Sequence, residues 1–164
     1  MREVHLKCIV YEYDSIEELP DIEQDLIRQA GESALRAWSP YSGFRVGAAL
    51  LLDNGEVISG NNQENAAFPS GNCAERVALF YAISRFPESA PLVLAVTSLK
   101  KNGEITDYPV YPCGACRQVI LESEKRYSKM HRLIFHGRKK TEVVNSVSDI
   151  LPLCFDRDSL RTDR

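Results

Sequence analysis

The chain has 164 residues, of which 44% are apolar and 26% charged. That length and balance describe one soluble globular unit with a real core, and they exclude a disordered or fibrous chain. A net charge of −3 argues against a polyanion partner, and the densest basic run, "GRKK" (137–140), reads as a solvated turn.

The first segment, "VHLKCIVYEYD" (4–14), alternates Val4, Leu6, Cys8 and Val10 against His5, Lys7, Ile9 and Tyr11. Period two predicts a strand, at the edge of a sheet. Its charges exclude a signal peptide. The longest apolar run, "VGAALLL" (46–52), is too short to cross a bilayer. A cytoplasmic protein is therefore expected, with reduced thiols. "PDIEQDLIRQAGESALRAW" (20–38) places Ile22, Leu26, Ile27, Ala30, Ala34, Leu35 and Trp38 at helical spacing behind Pro20. "SPYSG" breaks that helix. "FRVGAALLLDNGEVISG" predicts a hairpin about Asp53-Asn54-Gly55. A polar loop, "NNQENAAFPSGN", leads to a helix from about Cys73 to Phe86, stopped by Pro87. "LVLAVTSL" (92–99) is a continuous apolar run and predicts a central strand covered on both faces. A further helix begins near Cys113. "HRLIFHG" predicts a strand, "TEVVNSV" another, and "SDILPLCFD" a short helix with Ser148 as its cap. The alternation predicts an α/β domain with a mixed sheet, in which the strands reached through helices run parallel.

Five cysteines are present. Cys8 and Cys154 read as small buried hydrophobes. Cys73, Cys113 and Cys116 each stand where a helix starts. Helix amino termini carry partial positive charge and free N–H groups, which favour thiolate. Cys113 and Cys116 are three apart, so one helical turn presents both sulfurs on one side. With Cys73 they make three ligands for a zinc ion, and the fourth tetrahedral position is left for water, the arrangement of a catalytic site. Glu75 stands two residues after a ligand and can exchange protons with that water without being a ligand itself. Arg76 can donate to a ligand sulfur or make a surface ion pair. Three alternatives compete. A thiol oxidoreductase built on Cys113 and Cys116 leaves Cys73 and Glu75 idle. A zinc-stabilised binding module needs a fourth protein ligand. A third reading keeps the zinc chemistry and changes the molecule it acts on.

Cys-x-Glu followed by Pro-Cys-x-x-Cys is the signature of zinc deaminases. The chain resembles the cytidine deaminases, specifically the small homotetrameric class with three cysteine ligands, through "YSGFRVGAALL" (41–51), "NQENAAFPSGNCAERVALF" (62–80), "PCGACRQVI" (112–120) and "ILPLCF" (150–155). The resemblance implies a three-layer α/β/α fold with a central mixed sheet of about five strands. It implies one domain over 1–164, with 1–20 an added amino-terminal strand and 21–155 the core. Cys73, Cys113 and Cys116 would hold one Zn²⁺ per subunit, and Glu75 would shuttle protons. Phe44, Asn62, Glu64, Ala66 and Phe68 would contact a free nucleoside, cytidine or 2′-deoxycytidine or, as the alternative, another cytosine-containing nucleoside or antibiotic, and Phe155 would reach a neighbouring subunit's pocket. Asn62 and Glu64, two apart on extended chain, point the same way and suit a sugar hydroxyl, or else shape the loop through backbone bonds. Phe44 suits both core packing and a pocket wall. Two residues depart from the family pattern: Phe68 stands where many members have tyrosine, and Gln63 where an aliphatic residue is common.

Overall fold

The structure is a computed structural model that describes residues 1–160. Nine regular elements follow the chain: β1 (Tyr11–Tyr13), α1 (Asp21–Ala34), β2 (Arg45–Leu52), β3 (Val57–Asn61), α2 (Ala74–Arg85), β4 (Pro91–Leu99), α3 (Gly114–Tyr127), β5 (Arg132–Gly137) and β6 (Lys140–Val144). The strands form one sheet in the order β1-β6-β5-β4-β2-β3. The sheet has six strands where about five were expected, because both the amino-terminal edge and β6 join it. Among the six strands of the described residues, only β4 and β5 pair in parallel, through the α3 crossover. The β5–β6 connection is a tight turn at Arg138-Lys139, so β6 returns antiparallel.

Alternate residues of the central strands feed two separate cores. Leu94, Val96, Leu133 and Phe135 pack with α2 and α3 on one face. Ala95 and Ile134 pack with Leu26, Ile27 and Ala30 of α1 on the other. The result is three layers, as expected. Two glycines let the helices lie close to the sheet. A Cβ on Gly47 would sit 1.9 Å from the carbonyl oxygen of Ala30, and one on Gly60 would sit 2.5 Å from the amide nitrogen of Ala78. Buried carboxylates tie the layers together. Glu23 on α1 accepts from Arg132 on β5 at 2.8 and 3.3 Å. Glu124 on α3 accepts from the His131 amide, the Val147 amide and the Ser146 hydroxyl.

Four expectations need correction. The amino-terminal strand contracts to Tyr11–Tyr13, since β6 offers ladder partners only from Thr141 to Val143. Alternation supplies a face, but pairing needs a neighbour. Cys8, expected inside, is exposed with the rest of residues 1–10. The first helix stops at Ala34, and Ile22, Leu35 and Trp38 are exposed, not part of its buried stripe. Trp38 instead brackets the polar loop, accepting from the Glu64 amide and donating to the Asn62 carbonyl. The turn near residue 148 is capped by Ser146, whose hydroxyl accepts from the Ser148 amide at 3.1 Å, so Ser148 lies inside it.

Candidate active site

The strands β3, β4 and β5 run in one direction, and α2 and α3 start beyond the carboxyl ends of β3 and β4. Such ends are where open α/β sheets place their ligands. Both helices open on a cysteine: Cys73 is the N-cap of α2 and Cys113 the N-cap of α3. Neither side chain caps its own helix, so both sulfurs are free to face the crevice. Cys116 lies fully buried in the first turn of α3. The Cys73–Cys113 sulfurs are 3.8 Å apart and the Cys113–Cys116 sulfurs 3.6 Å. All three lie within 4.8 Å of one another.

Those spacings fit one tetrahedral ion. Bonds of about 2.3 Å to zinc set neighbouring sulfurs about 3.8 Å apart, whereas a disulfide needs about 2.05 Å. The donor set also gathers negative charge. The Cys73 thiol is lowered to about 5, first by the hydrogen bond from Cys116, then by Cys113 and Arg76, against the opposing effect of burial. Cys116 is pushed up, by its bond to Cys73 and by burial. Arg76 donates to the Gly71 carbonyl at 3.2 Å, and its buried Nε has no partner of its own. Its guanidinium stands against Cys73, the place expected for a group that offsets thiolate charge.

Glu75 is 5% exposed in the first turn of α2. Burial raises its pKa, and the negative Cys73 adds to that rise. A buried carboxyl with a raised pKa beside three sulfurs suits proton transfer.

A cavity of about 650 Å³ opens over this cluster. Phe44, Asn62, Glu64, Phe68, Cys73, Glu75 and Cys113 line it, and Cys116 lies behind. Ala66 and Phe155 do not line it within one chain. Phe155 is exposed, with its carbonyl accepting from Gln118 at 2.8 Å. Phe68 is exposed at the rim, edge-on to Tyr41. The polar side chains carry the loop-shaping bonds. Asn62 accepts from the Val46 amide at 2.7 Å and donates to the Phe44 carbonyl at 2.9 Å. Glu64 accepts from the Tyr41 amide at 2.9 Å, the Ser42 amide at 3.2 Å and the Ser42 hydroxyl. The Ser42 hydroxyl bond leads in holding its carboxyl below the usual carboxylate range. An amide oxygen and a carboxylate each keep acceptor capacity beyond these bonds. Sequence reasoning passed over Tyr41 and Tyr111, which also line the cavity. Tyr111 stands directly before Pro112-Cys113, and that adjacency was the only signal for it.

Three thiols and a buried carboxyl, brought to one crevice by two helix amino termini, have the make-up of a metal-dependent hydrolase centre. Residues 20–131 match the family profile of the cytidine and deoxycytidylate deaminase zinc-binding region. The chain is 44% identical over 141 residues to a cytidine deaminase of Sporosarcina psychrophila, covering 85% of this chain and 95% of that one. It is 38% identical over 138 residues to a cytidine deaminase of Halalkalibacterium halodurans, covering 84% and 96%. The crystal structure of a cytidine deaminase from Burkholderia pseudomallei superposes with a TM-score of 0.69 at 36% identity, over 80% of this chain and 98% of that one. The chain belongs to the cytidine deaminase family, whose members are zinc-binding enzymes.

Proposed function

We propose that the chain hydrolyses free cytidine and 2′-deoxycytidine to uridine and 2′-deoxyuridine, releasing ammonia, with one zinc per subunit. The observation that carries this reading is the cluster of three sulfurs with Glu75 buried beside it in the same cavity. Cys73, Cys113 and Cys116 hold the ion. When bound, zinc supplies a Lewis acid that makes water acidic enough to attack near neutral pH.

The chain's own residues do the rest. Glu75 takes a proton from the attacking water and delivers it to N3 of the pyrimidine. It then takes the remaining proton of the oxygen added at C4 and passes it to the 4-amino group as the C4–N bond breaks. One water enters, one ammonia leaves, and C4 exchanges its nitrogen for oxygen. Burial keeps the Glu75 carboxyl out of competing solvent exchange. Phe44 and Phe68 wall the base. Asn62 and Glu64 hold the ribose 3′-hydroxyl through the acceptor capacity left beyond their backbone bonds. A phosphodiester at that position lacks the donor and meets the Glu64 charge, which favours a free nucleoside over a polynucleotide.

We infer one domain with its core at 21–155, acting in the cytoplasm; the last four positions of the expected 1–164 span lie outside the described residues. We also infer a homotetramer in which Phe155 reaches a neighbouring subunit's pocket, while Ala66 contacts substrate from the loop it shares with Phe68. The exposed ring of Phe155, outside the cavity of its own chain, is available to a neighbouring subunit. The deciding experiment is ammonia release from cytidine by the zinc-loaded protein, with and without a chelator. Turnover lost on chelation and regained with zinc is expected. Deamination that survives metal removal overturns the reading. Replacing Glu75→Gln should leave zinc content unchanged and lower kcat by about 10²–10⁴-fold.

A further inference from the structure

One row of side chains crosses the sheet from the cavity to its far edge. Val96 of β4 lines the cavity and pairs with Phe135 of β5. Phe135 pairs with Glu142 of β6, and Glu142 pairs with Glu12 of β1. Two carboxylates directly opposite one another on neighbouring strands repel. Lys140 relieves this, donating to Glu12 at 2.6 Å and also to Glu142. Glu142 is only 7% exposed, and its second carboxylate oxygen accepts from the phenol of Tyr111. The Tyr111 ring lies edge-on to Phe135, with centroids 5.4 Å apart, and lines the cavity two residues before Cys113.

Neither the metal cluster nor Glu75 accounts for this arrangement. A buried carboxylate is costly unless its bonds are made, and these bonds end on a cavity residue. We propose that Glu142 is a positioning residue that fixes the Tyr111 wall of the substrate cavity, and that edge strand β1 completes the site through Glu12 and Lys140. The added amino-terminal segment thereby acts on substrate binding from outside the cavity. The inference rests on the cytidine reading above.

The test is a double-mutant cycle in the zinc-loaded 164-residue chain, with Tyr111→Phe and Glu142→Ala, read as KM and kcat for cytidine. Each single change should raise KM about fivefold to tenfold and move kcat less than about twofold. Because Glu142 acts through Tyr111, the double variant should match either single one within about twofold. Glu142→Gln keeps an acceptor for the phenol and should restore most of the wild-type KM. Glu12→Ala should raise KM in the same direction. KM effects that multiply in the double variant, or a KM left unchanged by either single change, overturn the positioning role. An unchanged KM in Glu12→Ala removes β1 from it. Should the wild-type chain release no ammonia from cytidine, the functional reading itself has failed. Hydrogen exchange at the Tyr111 and Cys113 amides then decides the pinning: faster exchange in Glu142→Ala supports it, and unchanged exchange overturns it.

Discussion

Replacing Gly60→Ala should damage the metal site from across the sheet. Gly60 lies on β3, under the first turns of α2. The new methyl would meet the Ala78 amide nitrogen at 2.5 Å and the Ala74 carbonyl oxygen at 2.7 Å, where ordinary contact begins at 3.4 Å. Both obstacles are backbone, so no rotamer change relieves them. The helix must retreat by the difference, 3.4 − 2.5 = 0.9 Å. Overpacking of this kind costs about 1–3 kcal/mol. The displacement also shifts Cys73, the N-cap of α2, relative to α3. If the retreat lies along the sulfur–sulfur line, the Cys73–Cys113 separation grows from 3.8 Å to 3.8 + 0.9 = 4.7 Å. Two bonds of about 2.3 Å span at most about 4.6 Å, so one ion no longer bridges the pair at full strength. Urea denaturation in chelator reads the packing cost, and metal analysis after dialysis reads the lost ligand geometry. Gly31→Ala is the matched control. It sits in α1 with nothing within 4 Å of the new methyl and should gain about 0.5–1 kcal/mol, as glycine does when replaced in a helix interior. A Gly60→Ala protein with the wild-type urea midpoint and zinc content would refute the close-approach argument.

Cys116→Ala should weaken zinc at least about 100-fold, beyond the usual cost of losing a supporting contact, as measured by competition with a chromophoric chelator. Glu124→Ala strips the acceptor from two buried amides and one hydroxyl and should cost about 2–4 kcal/mol in urea denaturation. His131 is 1% exposed, and burial lowers its pKa from 6.5 to about 4. The folded state therefore binds fewer protons than the unfolded chain between those values. The stabilising contribution of the neutral imidazole is complete above pH 6.5 and declines as pH falls towards 4, by about 2 kcal/mol at pH 5. His131→Gln should show a flatter decline over that window, and equal pH slopes for the two proteins would contradict the assignment.

Local chemistry in the sequence determined more of this protein than its small size suggests. Pro20 and Pro87 bound helices, and Asn54-Gly55 turns a hairpin in which Gly55 takes φ +86°. Each works through its own backbone, so no distant partner is needed to read it. The three cysteines and Glu75 were legible for the same reason: a helix start is a local event, and its charge and free N–H groups act on the residue standing there. Tertiary structure alone decided what depends on a second segment. The amino-terminal alternation runs from Val4, yet only Tyr11–Tyr13 pairs, because ladder hydrogen bonds exist only where β6 lies alongside. Asn62 and Glu64 suited either a sugar hydroxyl or the loop's own backbone, and only the folded 41–46 segment shows that it takes their first bonds. Tyr111 and Glu142 are thirty-one positions apart, with nothing in either neighbourhood to announce a bond. Sequence encodes propensities residue by residue, whereas burial, pairing and close approach are properties of two surfaces meeting.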